Sequence, residues 1–141
     1  MERLRNKIFS TEEANALLPL LERALESLAG IAREAAGVRR ELDVLAAIAG
    51  SGASEENPDT RLLHEREATL QGLVRRFQSE LEAVSSHGCV VRDLELGLVD
   101  FYTMAHGRVV CLCWRRGEPR IEHWHAPGEG FSGRRPLSEL T

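Results

Sequence analysis

Aromatic residues are scarce in this chain, at 5% of 141 residues, and most of them fall in the second half. No apolar run approaches the ~20 residues of a membrane span. The opening Met1-Glu2-Arg3-Leu4-Arg5 is not followed by an apolar stretch, so no secretory signal is expected. Cysteine is limited to Cys89, Cys111 and Cys113. An odd, small number without a signal excludes a disulfide framework and reads as reduced thiols in a cytoplasm. There is no phosphate-cradling glycine loop, nucleophile elbow or HExxH, so the common motif-borne chemistries are missing. A basic stripe is also missing: 18 Lys and Arg stand against 22 Asp and Glu, a net charge of −4. The pairs Arg39-Arg40, Arg75-Arg76, Arg115-Arg116 and Arg134-Arg135 are dispersed among acids, so neither nucleic acid nor membrane is an expected partner.

What is present is an ordinary globular composition, 43% apolar and 28% charged. A chain of this length can bury roughly two-thirds of its unfolded surface without disulfides. It reads as one domain, residues 1–141. A leucine-rich first half and an aromatic-bearing second half suggest helices first and sheet second.

Residues 10–49 carry the clearest periodicity. Ser10 can cap a helix, and Glu13 three residues on completes a capping box. Ala14, Leu21, Leu28, Ala35, Leu42 and Ala49 then recur by sevens. Leu17, Ala24, Ile31, Val38 and Leu45 run beside them, with Leu18, Leu25, Ala32 and Ala46 as a third line. This width is the stripe of a helix with more than one neighbour. Pro19 lies inside the pattern and predicts a kink near Ala16 to Pro19, or a separate first turn. Residues 50–59, rich in Gly and Ser with Asn57-Pro58-Asp59, read as a disordered loop. A second helix follows to Ser86, with Leu63, Leu70, Phe77 and Val84 recurring by sevens and Gly88 as its left-handed cap.

From Cys89 the period changes to two. Cys89-Val90-Val91, Leu94 to Tyr102, Arg108 to Trp114 and Arg120 to His125 are the expected strands. The turns between the last three fall at Ala105-His106-Gly107 and Arg115 to Pro119. The glycine-rich tail, 126–141, should be mostly irregular. The fold class is therefore α+β. A long antiparallel helical hairpin over about 10–86 leads to an antiparallel β-meander over about 89–125 and an irregular tail. The excess apolar stripe points to a coiled-coil-like homodimer formed through the helices.

Three groups of residues could carry chemistry; one is the acids Asp93, Glu95 and Asp100, which can bind a metal but more commonly serve as caps or turns. Cys111 and Cys113 are two apart on one strand, and His123 and His125 two apart on the next. A hairpin centred on Gly117 would put Cys111 opposite His123 and allow a Cys₂His₂ zinc set. A one-residue slip would put the pairs on opposite faces, and a buried free cysteine is commonly just a small apolar residue. No metal or other cofactor is expected. The remaining group surrounds the aromatics: Trp114, Glu118, His123, Trp124, His125, Glu129, Arg134 and Arg135. Glu118 at a hairpin tip is too far from His125 to form an acid–base pair with it. The folded-back tail can instead bring Arg134 to His125, beside Val109 or Val110. They would line a pocket for a small anion, with Asp100 or Glu129 as acidic partners. The alternative for His125 and Arg134 is a salt-bridged pin for the tail.

The stretches Phe9 to Pro19, Gly88 to Phe101, Val110 to Pro119, Ile121 to His125 and Gly130 to Leu137 give the chain a family likeness. It resembles the bacterial domain-of-unknown-function 2203 family over nearly its whole length. The resemblance centres on Leu98, Asp100, Phe101, Cys113, Trp114, Gly117, Glu118, Trp124, His125, Gly130, Phe131, Gly133 and Arg134, and is looser at Cys111 and His123. It implies an architecture and a candidate surface, not a reaction. The leading expectation is a non-catalytic interaction or small-ligand-binding module in the cytoplasm, with candidate ligand residues His125, Arg134, Trp114, Trp124, Asp100 and Glu118. A small enzyme, with or without a metal, using His125 and neighbouring acids is the alternative.

Overall fold

The structure, a computed structural model, describes residues 7–49 and 58–140. Residues 50–57, most of the expected loop, lie outside the described residues. Helix α1 spans Thr11–Ala49 and α2 spans Pro58–Ser85. Five strands follow: β1 Val90–Asp93, β2 Leu98–Ala105, β3 Arg108–Arg115, β4 His123–His125 and β5 Arg135–Pro136. They form one antiparallel sheet in the order β1-β2-β3-β4-β5. The packing divides into two compact units, Leu28–Glu80 and Met1–Ser27 with Leu81–Thr141. No helix among the described residues is long and apolar enough to cross a membrane.

The start of α1 is written locally. The Ser10 backbone N–H donates to Glu13 Oε1 at 2.8 Å, and the Glu13 N–H donates to Ser10 Oγ at 3.1 Å, closing the capping box. The helix then runs through Pro19 without a break, so there is no separate first turn. Proline removes one backbone donor from the third turn. Ala14, Leu18, Leu21 and Leu25, all buried, hold that stretch on a single apolar face.

In the Leu28–Glu80 unit the two helices pair along the predicted stripes. Ile31, Val38 and Leu73 form a buried cluster, with Ala35, Leu42, Leu70 and Phe77 packed around it. Arg66 Nε meets Glu41 Oε2 at 3.1 Å across the pair.

In the other unit the sheet presents two dissimilar faces. Alternation and register place Val99, Phe101, Val110, Leu112, Trp114 and Trp124 on one face, all buried. Phe101 meets Phe9 edge-on, with ring centroids 5.2 Å apart. Asn15 and Glu22 of α1 anchor the β3–β4 connection. Asn15 Oδ1 accepts the Ile121 N–H at 2.8 Å, and Glu22 Oε1 accepts the Gly117 N–H at 3.0 Å. The opposite face carries Leu98, Asp100, Cys111, Cys113, His123 and His125.

Two turns set the registers of the meander. His106 and Gly107 both have positive φ, 53° and 76°, which suits a two-residue hairpin between β2 and β3. Gly97, with φ +71°, closes β1 on β2, and its carbonyl accepts the Arg116 N–H at 2.8 Å. A Cβ at Gly97 would sit 2.5 Å from Arg116 Cβ, so only glycine allows that approach. The returning strand is shorter than expected: β4 holds only His123–His125, because residues 116–122 make a long connection. The tail is not wholly irregular, since Arg135 and Pro136 add the fifth strand opposite Trp124 and His123.

Candidate functional site

Two of the candidate residues, Asp100 and His125, meet on one face of the sheet. Cys113 lies directly opposite Asp100 across β2 and β3. The β3–β4 register pairs Cys111 with His125 and Cys113 with His123, two residues away from the pairing expected for a hairpin centred on Gly117. A shift of two preserves the face, so both cysteines and both histidines do share one side.

His125 and Asp100 form the floor of the site. His125 Nε2 lies 3.1 Å from Asp100 Oδ1 and 3.0 Å from Oδ2, and both residues are buried. Its Nδ1 lies 2.9 Å from the Ala126 carbonyl oxygen. Arg92, at the bulge where the β1–β2 register shifts, donates from Nε to Asp100 Oδ2 at 2.9 Å and from a terminal nitrogen to Tyr102 Oη at 3.1 Å. Partial burial works against the Arg92 charge, but Asp100 and Tyr102 outweigh it and hold the guanidinium above its ordinary value. Burial, with the Asp100 charge adding to it, pushes the Cys113 thiol from 9.0 up to about 12.

Above this floor lies a cavity of about 280 Å³, lined by Arg92, Leu98, Asp100, Cys113, His125 and the tail residues Gly128 to Phe131. Glu129 reaches the cavity already committed: its carboxylate takes a bidentate contact from Arg135 at 3.0 and 2.9 Å and accepts the Ala126 N–H at 2.9 Å.

The remaining candidates make a second network, which touches the site where Arg134 donates to the Cys113 carbonyl at 3.4 Å. Arg134 does not reach His125. One of its terminal nitrogens donates to Glu118 Oε1 at 2.7 Å, to Glu118 Oε2 at 2.9 Å and to His123 Nδ1 at 2.9 Å. The Arg134 guanidinium also lies over the Phe131 ring at 4.7 Å. Glu118 is thus joined to His123, not His125, because its tip position and the long connection fold it back on β3. Trp114 and Trp124 belong to the apolar face, and Trp114 Nε1 donates to the Glu118 carbonyl at 2.9 Å. Cys111 is buried opposite Tyr102 and His125, outside the converging group formed by Asp100, Cys113 and His125. His123 is drawn off by Arg134, so the Cys₂His₂ arrangement does not form.

Arg92 is the site residue that sequence reasoning passed over. Its position depends on the Val90–Asp100 pairing and on the bulge between Val91 and Asp93, neither of which is marked in the sequence.

The chain matches the family described as uncharacterized conserved protein DUF2203 over residues 7–137, and it belongs to that family. No curated protein and no solved structure matches it.

Proposed function

We propose that this protein is a small-ligand-binding module whose cavity takes a small organic anion such as a short carboxylate. The observation that carries this reading is Arg92. It lines the cavity with its side chain 47% exposed, next to an imidazole and to the apolar Leu98 and Phe131. The bonds to Asp100 and Tyr102 use two of its five N–H donors, and a guanidinium fork suits a carboxylate. The acids nearby are neutralised, Asp100 by Arg92 and Glu129 by Arg135. The volume sits at the small end of ligand cavities, which run from roughly 300 Å³ upward. A thermal-shift screen of small carboxylates tests it. A compound that raises the wild-type melting temperature but not that of folded Arg92→Gln supports the site. A screen in which no carboxylate moves the wild type overturns it.

One observation favours a second reading, a small enzyme. The 3.0 Å contact between His125 and Asp100 puts an imidazole and a carboxylate together at the cavity floor, the residue types of general acid–base catalysis. Turnover of a bound carboxylate, abolished by His125→Gln, separates this from simple binding.

The helices support a further part of the reading, a symmetric homodimer. Val44, Ile48 and Leu62 are exposed apolar residues of the helical unit, and a shallow groove there is lined by Gly37, Arg40, Glu41, Val44, Leu45 and Leu62. Two-fold pairing covers such a surface with a second copy of itself. Light scattering should give twice the 15.7 kDa chain mass, and a monomer at tens of micromolar counts against it.

A further inference from the structure

We infer that Asp100, Cys113 and His125 bind one divalent transition-metal ion of the zinc type, with a fourth coordination position open to the cavity. The three side chains come from three adjacent strands, and their ligand atoms all lie within 4.8 Å of one another. A carboxylate oxygen, a thiolate sulfur and an imidazole nitrogen form the mixed donor set that suits a borderline ion. Bond lengths of about 2.0–2.3 Å place tetrahedral donors roughly 3.3–3.6 Å apart; the Asp100–His125 pair, at 3.1 Å, opens slightly to admit the ion, and the thiol closes in by side-chain rotation.

The hydrogen bonding of His125 fits a cation at Nε2, either a second ring proton or a metal ion, and metal titration separates the two. Both ring nitrogens face oxygen acceptors, Nδ1 the Ala126 carbonyl and Nε2 the Asp100 carboxylate. A neutral imidazole carries one N–H and cannot serve both. With the proton on Nδ1, donated to Ala126, the Nε2 lone pair points at the Asp100 lone pairs. A metal ion between them turns that opposition into coordination. A ligating histidine ordinarily donates its other N–H to a backbone carbonyl or carboxylate in this way.

The surroundings fit the same ion. Both Asp100 oxygens lie beside His125 Nε2, at 3.1 and 3.0 Å, and Arg92 Nε takes only Oδ2, so Oδ1 has a lone pair left for the ion. All three donors are buried, so water competes weakly for the ion. Binding displaces one proton from Cys113 Sγ to solvent; thiolate and carboxylate together offset the dication, and Arg92, which stays paired with Asp100, leaves the centre with a net charge of about +1 that suits an anionic fourth ligand. The open position faces Leu98 and Phe131, where a water or a small ligand donor fits. Cys111 and His123 are outside the set, which separates this centre from a closed four-ligand zinc site.

The inference is independent of the carboxylate reading, because its test uses the metal alone. Chelator-stripped full-length protein is titrated with Co²⁺ and then with Zn²⁺. The expected result is one Co²⁺ per chain with a thiolate-to-cobalt charge-transfer band, displaced by one equivalent of Zn²⁺. Cys111→Ser and His123→Ala keep the band, and Cys113→Ser loses it. Failure of the wild type to take up one ion, a wild-type complex with no thiolate band, or an unchanged band in Cys113→Ser overturns the proposal. Loss of the band in Cys111→Ser, measured on folded protein, overturns it as well. If Cys113→Ser does not fold, a Cys89→Ser/Cys111→Ser variant with Cys113 as its sole thiol decides: retention of the band supports the site and its absence refutes it.

Discussion

Replacing Arg134 with alanine tests whether the tail is pinned to the sheet by one cation. The side chain is 11% exposed and its partner Glu118 is 23% exposed, so the pair is largely withdrawn from water. A hydrogen bond to a charged group of this kind is worth about 1.5–3 kcal/mol. Stacking of the guanidinium on Phe131 adds about 0.5–1 kcal/mol. Loss of the whole partner in a fully buried pair costs about 3–5 kcal/mol. Glu118 keeps the Arg115 N–H at 2.7 Å after the substitution, which holds the loss below that range. The expected destabilisation is about 2–3 kcal/mol. For a chain of this length that lowers the melting temperature by roughly 6–12 °C. Urea unfolding of Arg134→Ala, Glu118→Ala and the double variant isolates the pair, with an expected coupling of about 1–2 kcal/mol. Single-variant losses that simply add, or an Arg134→Ala melting point within about 2 °C of wild type, would refute the reasoning.

Three further outcomes follow from local geometry. Leu28 is fully buried in α1, so Leu28→Asp places an unpaired charge in an apolar interior, and circular dichroism should show an unfolded or severely destabilised chain. Gly97→Ala should cost about 2–4 kcal/mol, because positive φ adds to the 2.5 Å approach to Arg116 Cβ. Gly107→Ala, with positive φ but open space, should cost only about 1 kcal/mol, and equal melting points for the two would contradict the steric argument. Burial pushes the Cys89 thiol from 9.0 up to about 11, so the folded chain keeps a proton that the unfolded chain releases. That contribution is full below pH 9 and lost as pH rises toward 11, so wild type should lose stability across this window faster than Cys89→Ala.

The sequence by itself determined the elements whose signals are local. The Ser10–Glu13 capping box spans three residues, and both of its hydrogen bonds form within one turn. The heptads marked the seam that Ile31, Val38 and Leu73 occupy, because a helix face is set by spacing alone. The change to period two at residue 89 marked the meander, and Gly88, with φ +95°, stands where the helix cap was expected. Pro19 shows the limit of such signals: its local penalty is real, yet buried side chains on either side carry the helix through it.

Only the tertiary structure decided who meets whom. Asp100 and His125 are 25 residues apart, and their contact depends on the β2–β3 and β3–β4 registers acting together. The second register follows from the length of the 116–122 connection, which Asn15 and Glu22 hold from the helix and which no turn motif in the chain specifies. The fifth strand is a two-residue piece containing proline, too short to have a period, and it exists because β4 offers an open edge. Arg134 went to Glu118 and His123, and Arg92 went to Asp100, although composition treats the two arginines alike. A charged side chain reaches several ångströms in any direction, so its partner is chosen by the three-dimensional arrangement of neighbours, not by its place in the sequence.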